Sequence, residues 1–235
     1  MQAIILAGGK GTRLKPFTTN FPKPLVPVGE IPILEVVLRQ LKYYGFTDIV
    51  LAVNHLAELI MAFFGNGEKL GLRIKYSIED KELGTAGPLA IVEQLEDNFV
   101  VMNGDILTTI NYEDLYQYHI RNSNDATISA YKKEIKIDLG VLEIENSDFK
   151  NYIEKPTYHF DVSMGIYVFN KNVVNVIPKG EKMDMPELIL KLKQLNKKIK
   201  CYSKDYYWLD IGRVDDYEKA VEIFSERKGE FLLNG

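Results

Sequence analysis

Cysteine is almost missing from this chain of 235 residues: Cys201 stands alone. That excludes an intramolecular disulfide and every metal site built from several thiolates, and Cys201 is expected as a small core filler. Histidine is nearly as scarce, and His55, His119 and His159 share no metal-ligand spacing, so no imidazole centre is predicted. No run approaches the roughly eighteen apolar residues that a membrane helix requires. No serine lies in a nucleophile-elbow context, which removes the covalent-serine route. Charge of one sign is not in excess either. Lys and Arg number 29 against 33 Asp and Glu, a net charge of -4, which argues against a nucleic-acid partner held by phosphate neutralisation. Internal repeats, low-complexity tracts and linkers are absent.

The residues present describe an ordinary globular protein, 46% hydrophobic and 26% charged, of a size that stays one α/β domain and buries a deep core. The start, MQAIILAGGKG, is apolar for a few positions and lacks a basic leader or cleavage site. It is expected to be the first strand of a cytoplasmic protein with no membrane partner.

Apolar runs at Gln2 to Ala7, Ile49 to Val53, Leu72 to Tyr76 and Phe99 to Met102 have the length of buried strands. Helical spacing falls between them, at Ile33 to Tyr44, Leu56 to Phe64 and Pro88 to Leu95. This alternation predicts an α/β fold, Rossmann-like, with a mostly parallel central sheet flanked by helices. After Asp105 a helix is expected at Tyr112 to Arg121, then extended runs at Ala126 to Tyr131, Gly140 to Ile144, Tyr152 to Glu154 and Ser163 to Phe169. A helix at Pro186 to Leu195, a strand at Lys200 to Ser203 and a helix at Val214 to Glu226 follow. Residues 1–235 are thus expected to form a single domain, about 1–110 for nucleotide and metal and about 111–235 for a second substrate. Ligands of open α/β sheets bind beyond the carboxyl ends of the strands, so functional residues are expected just after strands.

The first such place is Leu6-Ala7-Gly8-Gly9-Lys10-Gly11-Thr12-Arg13-Leu14. Three glycines leave backbone N–H groups free to approach phosphate oxygens, and Lys10, Arg13, Lys15 and Lys23 cluster nearby. The loop has neither the Gly-Lys-Ser/Thr ending of a Walker loop nor the spacing of a dinucleotide fingerprint. Alone, it fits a tight turn as readily as an anion cradle. Together with Phe21-Pro22-Lys23-Pro24-Leu25, it resembles the signature of the sugar-phosphate nucleotidyltransferases, the family of glucose-1-phosphate thymidylyltransferase and mannose-1-phosphate guanylyltransferase.

That resemblance implies a nucleotide-diphospho-sugar transferase fold and the transfer of a nucleotidyl group to a sugar 1-phosphate, with release of pyrophosphate. It assigns the triphosphate to Leu6, Ala7, Gly8, Gly9, Gly11 and Thr12, and catalysis to Arg13, Lys23 and Asp105. Phosphoryl-type transfer needs such cations, because an anion attacks an anionic centre. Asp105, in Asn103-Gly104-Asp105 after a strand, and Asp210, in Trp208-Leu209-Asp210-Ile211-Gly212, correspond to the family's Mg²⁺ ligands. By itself each aspartate could cap a neighbouring helix or turn instead.

Tyr152-Ile153-Glu154-Lys155-Pro156 matches the family's sugar-phosphate segment, giving Lys155 the phosphate and Glu154 a sugar hydroxyl; Gly140, Ser163 and Gly165 fall on further sugar-contacting strands. An alternating strand would place Glu154 and Lys155 on opposite sides unless the chain bends at Pro156. Where the family often has asparagine this chain has Ser163 or Asp161, so the sugar stays open between mannose and heptose types. The base-side segment carries Glu79, Gly84, Thr85 and Ala86, and Gly84 to Ala90 is similar to mannose-1-phosphate guanylyltransferases in particular. Ionised Glu79 can only accept, which suits the two adjacent donors of guanine, so GTP is the expected triphosphate. UTP, dTTP or CTP as donor, or a non-catalytic nucleotide-sugar sensor, are the competing readings. The resemblance covers the catalytic domain and none of the hexapeptide-repeat extension many members add. Association into a homo-oligomer through the sheet domain is left open.

Overall fold

A computed structural model of the protein describes residues 1–233. In chain order the elements are β1 (Gln2–Leu6), β2 (Pro27–Val28), β3 (Ile31–Pro32), α1 (Ile33–Tyr43), β4 (Asp48–Val53), α2 (Ala57–Phe64), β5 (Arg73–Ile78), β6 (Asn98–Asn103) and β7 (Ile106–Thr108). There follow α3 (Tyr112–Arg121), β8 (Ala126–Lys136), β9 (Val141–Glu145), β10 (Asp148–Ile153), β11 (Thr157–Asn170), α4 (Met185–Gln194), β12 (Ile199–Tyr202), β13 (Trp208–Asp210), α5 (Val214–Glu226) and α6 (Lys228–Leu232). No helix among the described residues is long and apolar enough to cross a membrane.

Seven strands form one sheet in the order β12-β8-β11-β6-β1-β4-β5. β1 lies parallel to β4 on one side and to β6 on the other, and β5 extends the parallel run beyond β4. β11 runs antiparallel to both β6 and β8, and β12 returns parallel to β8. The sheet is therefore mostly parallel, as the strand–helix alternation requires, and both halves of the chain contribute strands to it.

Alternation along each central strand feeds two cores. Ala3 and Ile5 of β1, Val100 and Met102 of β6, and Ile49, Leu51 and Val53 of β4 point to a core closed by Leu34, Val37, Leu38 and Leu41 of α1, Ile60 and Phe64 of α2 and Leu115 of α3. Ile4, Val50, Phe99 and Val101 point the other way, against Met185, Leu188 and Leu192 of α4. Burial on both faces is why these strands are continuous apolar runs in the sequence. A third cluster packs Phe224 and Phe231, from α5 and α6, against Leu14, Ile33 and Val36.

Three expectations are corrected. Pro88 to Leu95 is not an α-helix: a 3-10 turn covers Gly87–Ile91. The Ala86 and Gly87 N–H groups donate to Met183 O at 2.9 and 3.1 Å, Leu89 N–H returns to Ala86 O, and Gln94 adopts a left-handed φ of 57° that stops any continuation. Cys201 is exposed rather than a core filler, because β12 is an edge strand whose alternation turns Tyr202 inward and Cys201 out. Lys200 on this edge, like Arg73 and Lys75 on β5 at the other, discourages pairing with a further chain. The extended runs around residues 126 and 163 are also longer than expected, since β8 and β11 continue as a two-stranded ribbon to Lys136 and Thr157.

His119, 1% exposed, joins α3 to the sheet. Its Nδ1 lies 2.9 Å from Thr127 Oγ1 and its Nε2 3.2 Å from Asn98 Oδ1; Asn124 donates to the same threonine and Asn170 to the same asparagine. Both ring nitrogens are satisfied by a neutral imidazole, and burial pushes the pKa down to about 4 against the opposing carboxylate of Asp125. The unfolded chain, with an ordinary histidine pKa, takes up this proton first as pH falls. Stability from His119 is thus complete above about pH 6.5 and declines toward pH 4, by up to roughly 3 kcal/mol. Urea titrations between these pH values should show the decline, and His119→Gln should flatten it.

Candidate functional site

β1 is flanked by β4 and β6, and the chain crosses from one side of β1 to the other between β5 and β6, so the topology switches there and a crevice opens at the carboxyl ends. A cavity of about 610 Å³ occupies it. Leu6, Ala7, Gly8, Gly9, Gly11, Thr12, Arg13, Lys23, Glu79, Gly84, Thr85 and Asp105 all line this space. The ends of β1, β5 and β6 deliver all of them but Lys23, and the ladders continue past the strands to fix their heights. Ala7 N–H donates to Ala52 O at 2.8 Å, Glu79 N–H to Val53 O at 3.0 Å and Gly104 N–H to Leu6 O at 3.0 Å.

Within the glycine loop the positions differ in what they demand. A Cβ on Gly8 would stand 3.1 Å from Glu79 Oε1 and from Asn54 Cβ, whereas one on Gly9 would meet nothing within 4 Å. Gly11 has a left-handed φ of 60° and opens the 3-10 turn Thr12–Leu14, held by Thr18 Oγ1, which donates to Gly11 O at 2.6 Å. Glycine is required there by conformation and at Gly8 by close approach.

Lys23 starts a second 3-10 turn between Pro22 and Pro24, and its ammonium pairs with Asp105. Asp210 arrives from β13, which pairs antiparallel with β7 so that Asp210 lies opposite Ile106, while Ile211 N–H donates to Asp105 O at 3.1 Å. The two carboxylates separated by about a hundred residues are therefore neighbours. Burial foremost, then the Asp105 charge, pushes the Asp210 pKa up, while Lys23 and Arg13 oppose the shift. Gly212 lines the cavity between them: a Cβ there would lie 3.3 Å from Asp210 Oδ2 and 3.7 Å from Arg13 Nη2. Neither aspartate is spent on capping α5, whose N-cap position is Arg213 and whose first turn carries Asp215 and Asp216. Among the described residues no third His, Cys, Asp or Glu joins this pair, so a cation held here would draw its remaining ligands from phosphate and water, the arrangement that suits Mg²⁺.

In the segment expected to face the base, Glu79 Oε2 accepts from Leu83 N–H at 3.2 Å. Burial raises its pKa, the Leu83 bond opposes this and Glu82 adds to the rise. Ala86 is fully buried behind the cavity wall. Asn54, Lys10, Asn103 and Asp184 also line the cavity. Asn54 and Asn103 could have been found from their places at the ends of β4 and β6. Asp184 carries no such signal, because it comes from the start of α4.

The residues expected to meet the sugar phosphate divide. Gly165, with a φ of 71°, packs against Asn103, and a Cβ on it would stand 2.7 Å from that amide nitrogen. Ser163 is 2.9 Å from the Tyr167 hydroxyl and accepts from Gly165 N–H at 3.3 Å, in the bulge of β11. Neither lines the cavity, but Gly165 adjoins Asn103, which does. Gly140, Glu154 and Lys155 flank the exposed hairpin of β9 and β10 and do not line the cavity. The Tyr152 hydroxyl fills the space over Gly140, where a Cβ would meet it at 2.0 Å. β10 ends at Ile153 and Lys155 takes a φ of 42°, so the chain does bend before Pro156 and strict alternation is broken. A left-handed lysine costs about 1 kcal/mol or more and marks a constrained position.

The family model for nucleotidyl transferases matches residues 2–227. The chain is 34% identical over 242 residues to a UTP–glucose-1-phosphate uridylyltransferase of Synechocystis sp., covering 94% of this chain and 62% of that protein. It is also 34% identical over 237 residues to a mannose-1-phosphate guanyltransferase of Yarrowia lipolytica, covering 95% and 64%. It thus spans less than two thirds of the length of these two relatives. The crystal structure of HddC from Yersinia pseudotuberculosis complexed with GMP-PN superposes with a TM-score of 0.73 at 26% identity, over 95% of this chain and 99% of that one.

Gly84 combines a φ of 77° with a would-be Cβ contact of 2.6 Å to Met183 O. Gly84→Ala should therefore destabilise the protein by about 2–4 kcal/mol, whereas Gly9→Ala, with open space around it, should be close to neutral. Thermal melts of the two variants distinguish them.

Proposed function

Because the chain belongs to the nucleotidyl transferase family, we propose that it joins a nucleoside triphosphate to a sugar 1-phosphate, releasing pyrophosphate and forming a nucleotide sugar. The observation that carries this is the convergence of Arg13, Lys23, Asp105 and Asp210 at the glycine loop. A sugar-phosphate oxygen forms a bond to the α-phosphorus as the bond to the β-phosphate oxygen breaks. Backbone N–H groups of Gly8, Gly9 and Gly11 hold the triphosphate, and Arg13 and Lys23 offset the charge that gathers on the leaving pyrophosphate. Lys155 and Glu154 are assigned to the incoming sugar phosphate, with Gly140, Ser163 and Gly165 beside it. Positioning and electrostatics supply the rate enhancement, with no covalent enzyme intermediate.

Asp105 and Asp210 fit a divalent cation, with Mg²⁺ as the proposed ion. A metal there would neutralise triphosphate charge and polarise the α-phosphate. Lys23 pairs with Asp105, so the lysine and a bound cation would share the task of balancing the two carboxylates.

GTP is the proposed donor, and mannose 1-phosphate, or a heptose 1-phosphate, the proposed acceptor. Glu79 supports guanine because an ionised carboxylate accepts from both the ring imide and the exocyclic amino group. A UTP-dependent reading is favoured by the Synechocystis relative, which is as similar as the guanyltransferase. A matrix of triphosphates against sugar 1-phosphates, scored by Mg²⁺-dependent pyrophosphate release, tests the proposal. Turnover with GTP supports it, preference for UTP or dTTP sinks the Glu79 argument, and no release with any pair leaves the nucleotide-sugar sensor.

Two predictions accompany this assignment. Lys23→Ala and Asp105→Asn should each lower kcat by about a hundredfold or more with the fold retained, as initial rates and circular dichroism together check. Since burial holds the Glu79 pKa above that of an ordinary glutamate, its carboxylate gains a proton at a higher pH than exposed glutamates do. A protonated Glu79 presents one donor and one acceptor, the pattern an amide offers to uracil. The GTP-to-UTP ratio of kcat/KM should therefore fall as pH is lowered, and Glu79→Gln should give a low ratio that no longer follows pH.

A further inference from the structure

The loop that carries Glu79 and the segment that opens α4 exchange hydrogen-bonding groups across about a hundred residues of sequence. On the backbone, Met183 N–H donates to Leu83 O at 3.0 Å, and Met183 O accepts from Ala86 and Gly87. The side chains trade partners. Asp184 Oδ1 accepts from Thr85 N–H at 3.1 Å and from the Thr85 hydroxyl at 3.4 Å, while Thr85 Oγ1 accepts from Met185 N–H, the first of α4, at 2.7 Å. An aspartate at this position ordinarily gives its oxygens to its own helix. Asp184 does so in a capping box with Glu187, and its Oδ1 also serves the loop, whose threonine serves the helix.

The helix keeps a brace of its own, since Glu187 Oε2 accepts from Asp184 N–H at 2.7 Å. Asp184 also lines the cavity together with Glu79, Gly84 and Thr85. Gly84 fits against it so closely that a Cβ would lie 2.7 Å from Asp184 Oδ1. From Asp184 the chain of contacts runs through Thr85 and Gly84 to Leu83, whose N–H holds Glu79. A shift of the Asp184 carboxylate therefore moves the groups that face the base.

We propose that Asp184 is a positioning residue for nucleobase selection, holding residues 79–87 in the register that presents Glu79 to the base. The proposal rests on the reading of the cavity as a nucleotide site. It places a determinant of base choice in the half of the chain assigned to the sugar phosphate. Thr85 acts through the same exchange as a ligand of the helix as well as of the cavity wall.

The test compares Asp184→Ala, Asp184→Asn and Glu187→Ala. Loss of one hydrogen bond to a charged acceptor corresponds to roughly tenfold or more. Asp184→Ala should lower the ratio of kcat/KM between the best and second-best triphosphate by about tenfold, through nucleotide KM and with sugar-phosphate KM near wild type. Asp184→Asn, whose amide oxygen still accepts from Thr85, should retain most of the ratio. Glu187→Ala should lower Tm and leave the ratio unchanged, separating helix capping from positioning. An unchanged ratio in folded Asp184→Ala, or an equal loss in Asp184→Asn, overturns the proposal. Should Asp184→Ala not fold, Thr85→Val cuts the same exchange from the loop side, and full discrimination in that variant overturns it. If the wild-type chain releases no pyrophosphate, the transfer reading fails by itself. Dissociation constants for GTP and UTP on the same variants, by calorimetry, then decide the role of Asp184: a fall in their ratio in Asp184→Ala supports it, and an unchanged ratio overturns it.

Discussion

Two carboxylates held side by side are the constraint around which this site is organised. The short antiparallel pairing of β7 with β13 leaves Asp105 and Asp210 no freedom to separate, because Ile211 N–H is bonded to the Asp105 carbonyl. Partly buried like charges are costly, and the cost appears as the raised pKa of Asp210. Lys23 and Arg13 offset it, which explains why the glycine loop and the proline-flanked turn must both reach the same end of the sheet. The cations and carboxylates form one electrostatic unit rather than separate binding residues.

The parallel strands make that unit possible. β6, β1, β4 and β5 end together, so the segments following them share one crevice. Burial of β6, β1 and β4 on both faces by the two cores fixes their ends, and with them the backbone N–H groups of the glycine loop. The far wall is supplied differently. Residues 79–87 form no regular element of the sheet and owe their shape to bonds with residues 183–185. Support from Asp184, like the lining at Gly212, is thus brought from the second half of the chain to a pocket lined mainly by its first half.

The hairpin next to the residues assigned to the sugar phosphate is exposed along both strands. β9 and β10 pair only with one another, and an isolated two-stranded hairpin is marginal in water. Its apolar side chains Leu142, Ile144, Phe149 and Tyr152 are exposed. Two local devices hold the end nearest the core: Tyr152 seated on Gly140, and the left-handed turn at Lys155, after which Ile137 N–H bonds to Pro156 O at 3.0 Å. Gly140, Glu154 and Lys155, assigned to the sugar phosphate, therefore stand at the base of a hairpin outside the cavity wall, whereas the glycine loop and Glu79 follow directly on strands of the main sheet.

The elements were legible wherever local pattern and tertiary environment agree. The central strands, α1, α3 and α5 follow from apolar periodicity, the glycine loop and Asp105 from motifs placed just after strands, and Lys23 from the resemblance that its proline-flanked segment carries. Pro88 to Leu95 misled because a short apolar repeat is common to α and 3-10 turns, and distant Met183 decided between them. Cys201 misled because composition does not report which strand is an edge. The sequence by itself determined which residues could supply cations, carboxylates and flexible backbone. Only the tertiary structure decided that Asp210 adjoins Asp105, that Asp184 braces Thr85 and that Tyr152 covers Gly140. Each of these is a contact between residues far apart in sequence or across a turn, set by strand pairing and packing that no local spacing encodes.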